Sequence, residues 1–244
     1  MDRCRNIKDF TPISKLEGLE ILIFRDTNIS YISFLEINKN IKELELQSCR
    51  NIKDFTPISK LERLEILNAN WINISDISFL EINKNIKKLD LSGCKNIIVF
   101  TPISKLERLE ILYIGYTNIS DISFLEKNKN LKELYLEFCN NIKDFTPLSK
   151  LERLEILYIG NTNISDISFL EKNKKIKKLD LDRCKNIKDF TPLSKLERLE
   201  ILYIGYTNIS DISFLEKNKN IKKLDTYGCN NINKKDNNIF NRNI

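Results

Sequence analysis

The sequence predicts an α/β repeat solenoid in which short coils stack to build one long parallel sheet. Six cysteines, at positions 4, 49, 94, 139, 184 and 229, recur at a constant interval of 45 residues. The segments NIKDFTP, SKLERLEIL, TNISDISFLE and NKNIKKLDL recur between them with few changes. Repetition at a fixed period of about 20–50 residues is the signature of stacked, nearly equal units. One such array accounts for the 244 residues without a second folded domain.

Each 45-residue block contains two similar halves. The leucines that open three successive strands, Leu109, Leu131 and Leu154, are separated by 22 and 23 residues. The second half has the pattern L-x-x-L-x-L-x-x-C from Leu131 to Cys139, which is typical of leucine-rich repeats of about 20–29 residues. The first half resembles the 22-residue repeats of internalins and of phosphatase-regulatory leucine-rich proteins. The second half resembles the cysteine-containing variety of these repeats.

This resemblance implies a leucine-rich-repeat solenoid, a horseshoe or right-handed superhelix. Such a solenoid has a parallel concave sheet that binds partners and short helical or 3-10 turns on its convex side. One position departs from the family pattern. The family usually has Asn at the position after the strand, but the first half-blocks have other residues there. That position holds Thr27, Ile72, Thr117, Thr162 and Thr207. We therefore predict that alternating Thr and Cys replace the buried Asn ladder, with a looser turn after the strand.

Alternating apolar and variable residues predict one short strand in each half-block. A single coil cannot bury its apolar side alone, so neighbouring coils stack at about 4.8 Å over a shared core. The pattern predicts a ten-strand sheet. The predicted strand centres are Leu22, Leu44, Leu67, Leu89, Leu112, Leu134, Leu157, Leu179, Leu202 and Leu224.

The return limb of each coil is predicted to contain a short helical or 3-10 turn. Thr101-Pro102 combines a good N-cap residue with the residue favoured in the first turn of a helix. Residues 120–125 predict a second capped turn in the other half-block. Two ladders of phenylalanine are predicted in the core. They are Phe10, Phe55, Phe100, Phe145 and Phe190, and then Phe34, Phe79, Phe124, Phe169 and Phe214.

The repeats define the domain organisation. Residues 1–229 are predicted to form the solenoid, and residues 230–244, rich in Asn and Lys, a C-terminal cap or disordered tail. No polar cap precedes Phe10, Ile13 and Leu16, which predicts end-to-end self-association through this end or a removed preceding segment. The N-terminal MDRCRNIK lacks the apolar segment of a secretion signal, and no stretch approaches the ~20 apolar residues of a membrane span.

The cysteines are predicted to be buried free thiols. Residues 45 apart lie two coils, or about 9–10 Å, apart by strand spacing, whereas a disulfide requires Cα atoms within about 7 Å. The chain has no His and no spacing typical of a metal site, so neither a metal nor a cofactor is expected. Buried thiols behave as small apolar groups, and reduced cysteines favour a cytoplasmic location.

Two repeated polar features are explained by the repeat itself. Asn-Ile-Ser matches the glycosylation pattern, but its copies are predicted to form one repeated turn. They begin at Asn28, Asn73, Asn118, Asn163 and Asn208. Charges beside the sheet alternate in sign and predict cross-strand ion pairs. They are Glu20, Lys42, Glu65, Lys87, Glu110, Lys132, Glu155, Lys177, Glu200 and Lys222. Lysines at 127–129 and 172–175 lie in loops and indicate a solvated face rather than a binding stripe.

The outward positions of the predicted strands form the candidate binding surface. The middle row of this face departs most from the repeat, and every tyrosine except Tyr31 falls in a strand segment. Exposed aromatic residues are favoured anchors because they bury a large area with few rotatable bonds. The face has more acidic than basic residues, although the chain carries a net charge of +6. The predicted binding residues are Trp71, Asp90, Tyr113, Tyr116, Tyr135, Tyr158, Asp180, Tyr203, Tyr206 and Asp225.

These features predict a non-catalytic protein-interaction scaffold that binds a partner on its concave, tyrosine-rich, acidic face. The absence of His removes most acid–base and nucleophilic schemes. Asp180 and Asp182 are better explained as solvated neighbours than as a glycosidase pair. The alternative is a surface or secreted adhesion-type leucine-rich-repeat module. A third interpretation is a nucleic-acid-associated protein that uses basic convex loops, although the acidic face is unsuited to phosphate backbones.

Overall fold

The computed structural model describes residues 2–7 and 9–232, so most of the predicted C-terminal cap or tail, from residue 233 onward, lies outside the described residues. The chain divides into two compact units, Met1–Asn118 and Ile119–Ile244. Each unit is a stack of short coils, and each coil contributes a three-residue strand and one 3-10 turn. Within the described ranges, none of these helical turns has the length and apolar character needed to cross a membrane.

The first unit contains a five-stranded parallel sheet in its described residues. The strands pair in chain order, and the register aligns their central leucines. The strands are β1 (Ile21–Ile23), β2 (Glu43–Glu45), β3 (Ile66–Asn68), β4 (Lys88–Asp90) and β5 (Ile111–Tyr113). The 3-10 turns are Thr11–Lys15, Ser33–Glu36, Thr56–Lys60, Ser78–Glu81 and Thr101–Lys105.

The second unit repeats this architecture, again with five parallel strands in its described part. Their pairing also follows chain order. The strands are β6 (Glu133–Tyr135), β7 (Ile156–Tyr158), β8 (Lys178–Asp180), β9 (Ile201–Tyr203) and β10 (Lys223–Asp225). The 3-10 turns are Ser123–Lys127, Thr146–Lys150, Ser168–Lys172, Thr191–Lys195 and Ser213–Lys217.

The predicted strand positions are confirmed, because every predicted centre is the middle residue of an observed strand. In β3 to β9 the central leucine is fully buried while its two neighbours are only half-buried. Side chains in a strand alternate between the two faces, so the leucines enter the core and their neighbours form an outward face. An apolar residue between two variable residues was therefore sufficient to predict both the position of the strand and which of its side chains face outward.

The two phenylalanine ladders lie in the core, and only Phe214 is half-exposed. At the beginning of the first unit, Phe24 occupies the position held by Ala69 in a later coil. Its ring contacts Phe10 edge-to-face, with centroids 5.2 Å apart. Phe10 and Ile13 are consequently buried, whereas Leu16 remains 53% exposed. The predicted open end is thus partly closed by one enlarged side chain.

The structure corrects the predicted capping of the Thr-Pro turns. Threonine is the first residue of each turn rather than its cap. An aspartate two residues earlier supplies the acceptor: Asp54 Oδ1 accepts from Thr56 N at 2.9 Å and from Thr56 Oγ1 at 2.7 Å. Such Asx turns close the backbone locally. The equivalent bond forms at Asp9, Asp144 and Asp189, and to a serine amide at Asp76, Asp121, Asp166 and Asp211.

A ladder of buried asparagines binds successive coils together, and the sequence analysis did not identify it. Asn83 Nδ2 donates to the carbonyl oxygens of Ile58 and Leu61, at 3.1 and 3.0 Å, in the preceding coil. These bonds satisfy backbone acceptors that would otherwise lie buried without them. The ladder residues are Asn38, Asn83, Asn128, Asn173 and Asn218. The unvarying first Asn of each N-K-N or N-K-K segment was the available signal.

The predicted Thr and Cys ladder is confirmed. Thr162 Oγ1 lies 3.7 Å from Cys184 Sγ and donates to the carbonyl of Ile159 at 2.8 Å. A hydrogen bond therefore holds the turn after the strand. Our expectation of a looser turn was wrong. Cys49, Cys94, Cys139 and Cys184 are buried free thiols, while Cys4 and Cys229 are partly exposed. Burial raises the pKa of Cys94 to about 11 and keeps this thiol protonated.

Candidate protein-interaction face

The outward face of the second unit carries a continuous row of large polar side chains. The strand register aligns the last residues of β6 to β10 across the sheet. We call this set the middle row, and it consists of Tyr135, Tyr158, Asp180, Tyr203 and Asp225. Each member is half-buried, so its side chain is packed on the sheet and still reaches solvent. Six of the ten predicted binding residues belong to this unit, and five of those six form the middle row.

The tyrosines of the middle row contact one another edge-to-face. The rings of Tyr135 and Tyr158 have centroids 5.1 Å apart and an interplanar angle of 70°. Tyr158 and Tyr203 lie two strands apart, yet their centroids are only 6.4 Å apart at 81°. Because two strand spacings amount to about 9.6 Å, these two rings lean towards each other over the strand that carries Asp180. The result is a preformed aromatic surface above a carboxylate.

Burial alters the acidity of the carboxylates beside these rings. The pKa of Asp180 is raised to about 6, chiefly by burial and also by the negative charges of Asp182 and Asp225, while a hydrogen bond from the Asp182 amide opposes the rise. Burial likewise raises the pKa of Glu137 to about 7, and the charge of Asp180 adds to this effect. Within the described residues, neither Glu137 nor Asp180 forms an ion pair. A cation brought to this face would therefore stabilise charges that the fold leaves uncompensated.

Two glycines make room for these carboxylates. Gly160 and Gly205 lie two residues beyond the ends of β7 and β9. A Cβ atom on Gly160 would approach Asp180 Oδ1 to 2.9 Å. Gly205 N donates to Asp182 Oδ1 at 2.6 Å, and a Cβ atom there would meet the carbonyl of Tyr227 at 3.0 Å. The glycines that follow the strands thus position the acidic side chains, a role that the sequence pattern alone did not indicate.

Three other predicted aromatic residues lie beyond the strand ends, at the rim of the outward face. Trp71, Tyr116 and Tyr206 have φ values of 56°, 58° and 54°, in the left-handed region that favours glycine. They are 39–41% exposed. The same conformation recurs at Asp26, Ser48, Gly93, Phe138, Asn161, Arg183 and Gly228. This backbone turn at the end of the strand directs each side chain sideways over the next coil.

At two places the rim aromatics lie on a glycine. A Cβ atom on Gly93 would lie 2.4 Å from Trp71 Cε3, and one on Gly228 would lie 2.6 Å from Tyr206 Cδ1. Trp71 also contacts Tyr116, with centroids 5.6 Å apart. In the second unit, the guanidinium of Arg183 lies 4.6 Å from the ring centre of Tyr206, a cation–π contact. The rim aromatics are therefore packed in place rather than free.

Several outward side chains of the first unit contact one another. Arg25 forms an ion pair with Glu45 at 2.5 Å. Asp90 Oδ2 accepts from Asn70 Nδ2 at 2.8 Å. The Lys88 ammonium lies 5.7 Å from the ring centre of Tyr113. The predicted residues Asp90 and Tyr113 do share one row, but their polar groups already have partners within the unit.

The charge alternation and the loop lysines behave as the sequence indicated. Ion pairs of 2.7–2.8 Å join Lys42 to Glu20, Lys87 to Glu65, Lys177 to Glu155 and Lys222 to Glu200. Lys172, Lys174 and Lys195 line an open cleft together with Glu171 and Glu197. This mixed lining is not a basic stripe and does not favour a nucleic-acid surface.

The structure also describes the candidate metal ligands and the sequon asparagines. In the part of the chain that the structure describes, no group of three His, Cys, Asp or Glu side chains is placed to hold a metal ion. The sequon asparagines are exposed, and each donates to a carbonyl of the preceding coil, as Asn73 Nδ2 does to Arg50 at 2.9 Å. The repeated Asn therefore has a structural role in the turn.

Comparisons with known proteins agree with this architecture. A model described as a BspA type leucine rich repeat region matches residues 2–98. A model of two-copy leucine rich repeats matches residues 107–150 and 152–195. The chain belongs to the leucine-rich repeat proteins. Its repeats are internalin-like, and its solenoid fold is shared with solved leucine-rich repeat structures. No curated protein sequence matches it significantly.

Several solved structures from Listeria monocytogenes are similar. Internalin C2 of strain 4b F2365 is 27% identical with a TM-score of 0.73, covering 80% of this chain and 83% of that chain. The internalin InlF of the same strain is 24% identical with a TM-score of 0.72, covering 92% and 76%. The functional domain of InlJ, which includes a cysteine ladder, is 24% identical with a TM-score of 0.69, covering 96% and 54%.

Leucine-rich repeat proteins are generally interaction modules without enzymatic activity. Their extended sheets offer binding surfaces because the outward side chains of many strands are aligned. Family membership and the solved leucine-rich repeat neighbours therefore support a scaffold role for this chain.

Proposed function

We propose that the protein is a non-catalytic scaffold that binds a basic protein segment across the middle row of its second unit. The observation that carries this proposal is the pair of rings of Tyr158 and Tyr203 over Asp180, a half-buried carboxylate that forms no ion pair within the described residues. Aromatic rings and carboxylates together favour Arg and Lys, through cation–π contacts and charge-assisted hydrogen bonds. In the first unit the comparable carboxylates already contact other side chains, Glu45 an arginine and Asp90 the amide of Asn70.

Catalysis is not part of this proposal. The chain has no His to serve as a general base. The Asp180 and Asp182 carboxylates are joined to backbone amides at 2.7 and 2.6 Å, which uses them as acceptors within the fold.

The test uses peptides of defined charge. A fluorescently labelled twelve-residue peptide rich in Arg is titrated by anisotropy, beside versions with Gln or Glu at the same positions. We expect only the Arg peptide to bind, and the triple variant Tyr135→Ala, Tyr158→Ala, Tyr203→Ala to weaken it by at least ~2 kcal/mol, since interface aromatics act as anchors. The matched control is Tyr31→Ala, which removes an exposed tyrosine that bonds to Asp9.

Equal affinity of the triple variant and the wild type would reject the middle row as the binding site. Preferential binding of the Glu peptide would reject the partner class. The cytoplasmic location stays a prediction, and so does the adhesion-type alternative. End-to-end self-association also stays a prediction, favoured by Leu16 and Ile21, which are 53% and 54% exposed.

A further inference from the structure

A cleft in the first unit brings arginines together at positions where later blocks have other residues. Its volume is about 490 Å³. Its lining includes Arg5, Asp26, Asn28, Ser48, Arg50 and Asn51. The cleft belongs to the first unit, and none of its lining residues is used in the proposed binding of a basic segment.

The charges of the cleft are arranged around one carboxylate. Arg5 Nη2 donates to both oxygens of Asp26, at 2.6 and 2.5 Å. This bond lowers the pKa of Asp26, and the charges of Arg5, Arg3 and Arg50 lower it further. Arg5 and Arg50 line the cleft with Asp26, and Arg3 acts on Asp26 without belonging to the lining, so these four side chains together carry a charge of about +2. In the described part of the chain, Arg50 forms no ion pair.

This arrangement occurs at one point of the array. The positions equivalent to Arg5 and Arg50 in later blocks hold Lys95, then Asn140, then Lys185. The rim position between Arg5 and Arg50 is Asp26, whereas the next first half-blocks place an aromatic residue or Asn there. Among these blocks, arginines lie on both sides of an acid only at this point.

The geometry also prepares the arginines for an anion. Asp26 engages Nη2 of Arg5, so it does not use the Nη1 and Nε donors of this side chain, which is 61% exposed. Arg5 and Arg50 lie in coils two spacings apart, about 9.6 Å, on opposite sides of the coil that carries Asp26. The planar, permanently charged guanidinium group matches phosphate oxygens in a way that Lys does not.

We infer that this cleft binds a phosphomonoester dianion, either inorganic phosphate or a phosphorylated side chain of another protein. A phosphomonoester carries about −1.5 to −2 charges at neutral pH, which complements the local charge of the cleft. A carboxylate or a phosphodiester carries a single charge and compensates the arginines only in part. The amide of Asn51 and the hydroxyl of Ser48 supply neutral donors at the same lining.

The test titrates the full chain with inorganic phosphate by calorimetry. Arg50→Gln should weaken phosphate binding by about tenfold or more, since charge-assisted hydrogen bonds are lost. Lys95→Gln changes the equivalent residue of the next block and should alter affinity less than about twofold. Asp26→Asn keeps an acceptor for Arg5, tolerates the left-handed backbone and removes a negative charge. It should therefore tighten phosphate binding by about threefold.

Two further probes identify the source of the phosphate. A phosphoserine peptide that binds more tightly than inorganic phosphate assigns the cleft to a phosphorylated segment, and weaker binding assigns it to the free anion. The inference is overturned by three results: no saturable binding of phosphate, equal losses in Arg50→Gln and Lys95→Gln, or weaker binding in Asp26→Asn. A single-stranded oligonucleotide that displaces phosphate through Arg50 would also overturn it, because the ligand would then be a phosphodiester.

Discussion

Substitution of Gly93 by Ala tests whether the rim of the first unit is built as the structure describes. Gly93 has φ +72°, and a Cβ atom there would lie 2.4 Å from Cε3 and 2.5 Å from Cδ2 of Trp71. Real Cβ atoms do not approach other atoms so closely, so the indole ring must leave its position. Gly18 is the matched control, because a Cβ atom there would meet no atom within 4 Å.

The expected magnitude has two contributions. Placing an L-residue in the left-handed region costs about 1 kcal/mol, and displacing a packed side chain costs about 1–3 kcal/mol. Gly93→Ala should therefore lower the free energy of unfolding by about 2–4 kcal/mol. Gly18→Ala should leave it unchanged or raise it by about 0.4–1 kcal/mol, because the unfolded chain loses conformational freedom.

Urea denaturation followed by tryptophan fluorescence measures both effects. Trp71 is the single Trp of the chain, so its emission reports directly on the displaced ring and on the first unit. The Gly93→Ala protein should show a red-shifted emission in its folded state and a lower denaturation midpoint. If both glycine variants unfold within about 0.5 kcal/mol of each other with unchanged emission, the indole does not lie on Gly93.

The remaining predictions concern the asparagine ladder, acidity and capping. Asn83→Ala should destabilise by about 2–3 kcal/mol in urea denaturation because it removes two buried hydrogen bonds, whereas Asn85→Ala, at a partly exposed position, should cost under about 1 kcal/mol. Glu137→Gln should stabilise by about 1 kcal/mol at pH 8 and not at pH 4. Val99→Asp should raise the thermal midpoint by restoring an acceptor for the Thr101 amide, worth about 0.5–1 kcal/mol.

The prediction for Glu137→Gln follows from the direction in which the fold shifts the pKa of Glu137. The pKa of Glu137 is raised from its ordinary 4.5 to about 7. Between these values the folded state binds a proton that the unfolded state releases, so the free energy of unfolding falls as pH rises through this window.

A pH-independent effect of Glu137→Gln would contradict this account. Equal costs at Asn83 and Asn85 would contradict the ladder, and a lower midpoint in Val99→Asp would contradict aspartate capping.

Much of the fold could be predicted from the sequence because it depends on the length of the repeat and on the alternation of apolar and variable residues. Leu112 lies between two variable residues, and this local pattern was enough to place a strand, its buried residue and its outward neighbours. The caps were misassigned because Thr56 and Asp54 are both good capping residues two positions apart. Only the backbone geometry of the turn decides which oxygen reaches the amide.

The candidate site was predicted in part. The alignment of Tyr158 with Asp180 follows from strand register, which the repeat length determines. Ring contacts between Tyr158 and Tyr203 depend on side-chain rotation, and the sequence does not encode this in a readable way. The left-handed conformation of Trp71 was also missed, because such a backbone usually indicates Gly or Asn rather than an aromatic residue.

Fluorine NMR of the chain labelled with 3-fluorotyrosine, titrated with the Arg-rich peptide, tests the proposed binding face most directly. The eight tyrosines give separate reporters, which single Tyr→Phe variants assign. The account predicts that the resonances of Tyr135, Tyr158 and Tyr203 shift together with one saturation curve while that of Tyr31 stays in place. Movement of Tyr31 alone, with those three unchanged at saturating peptide, would contradict it.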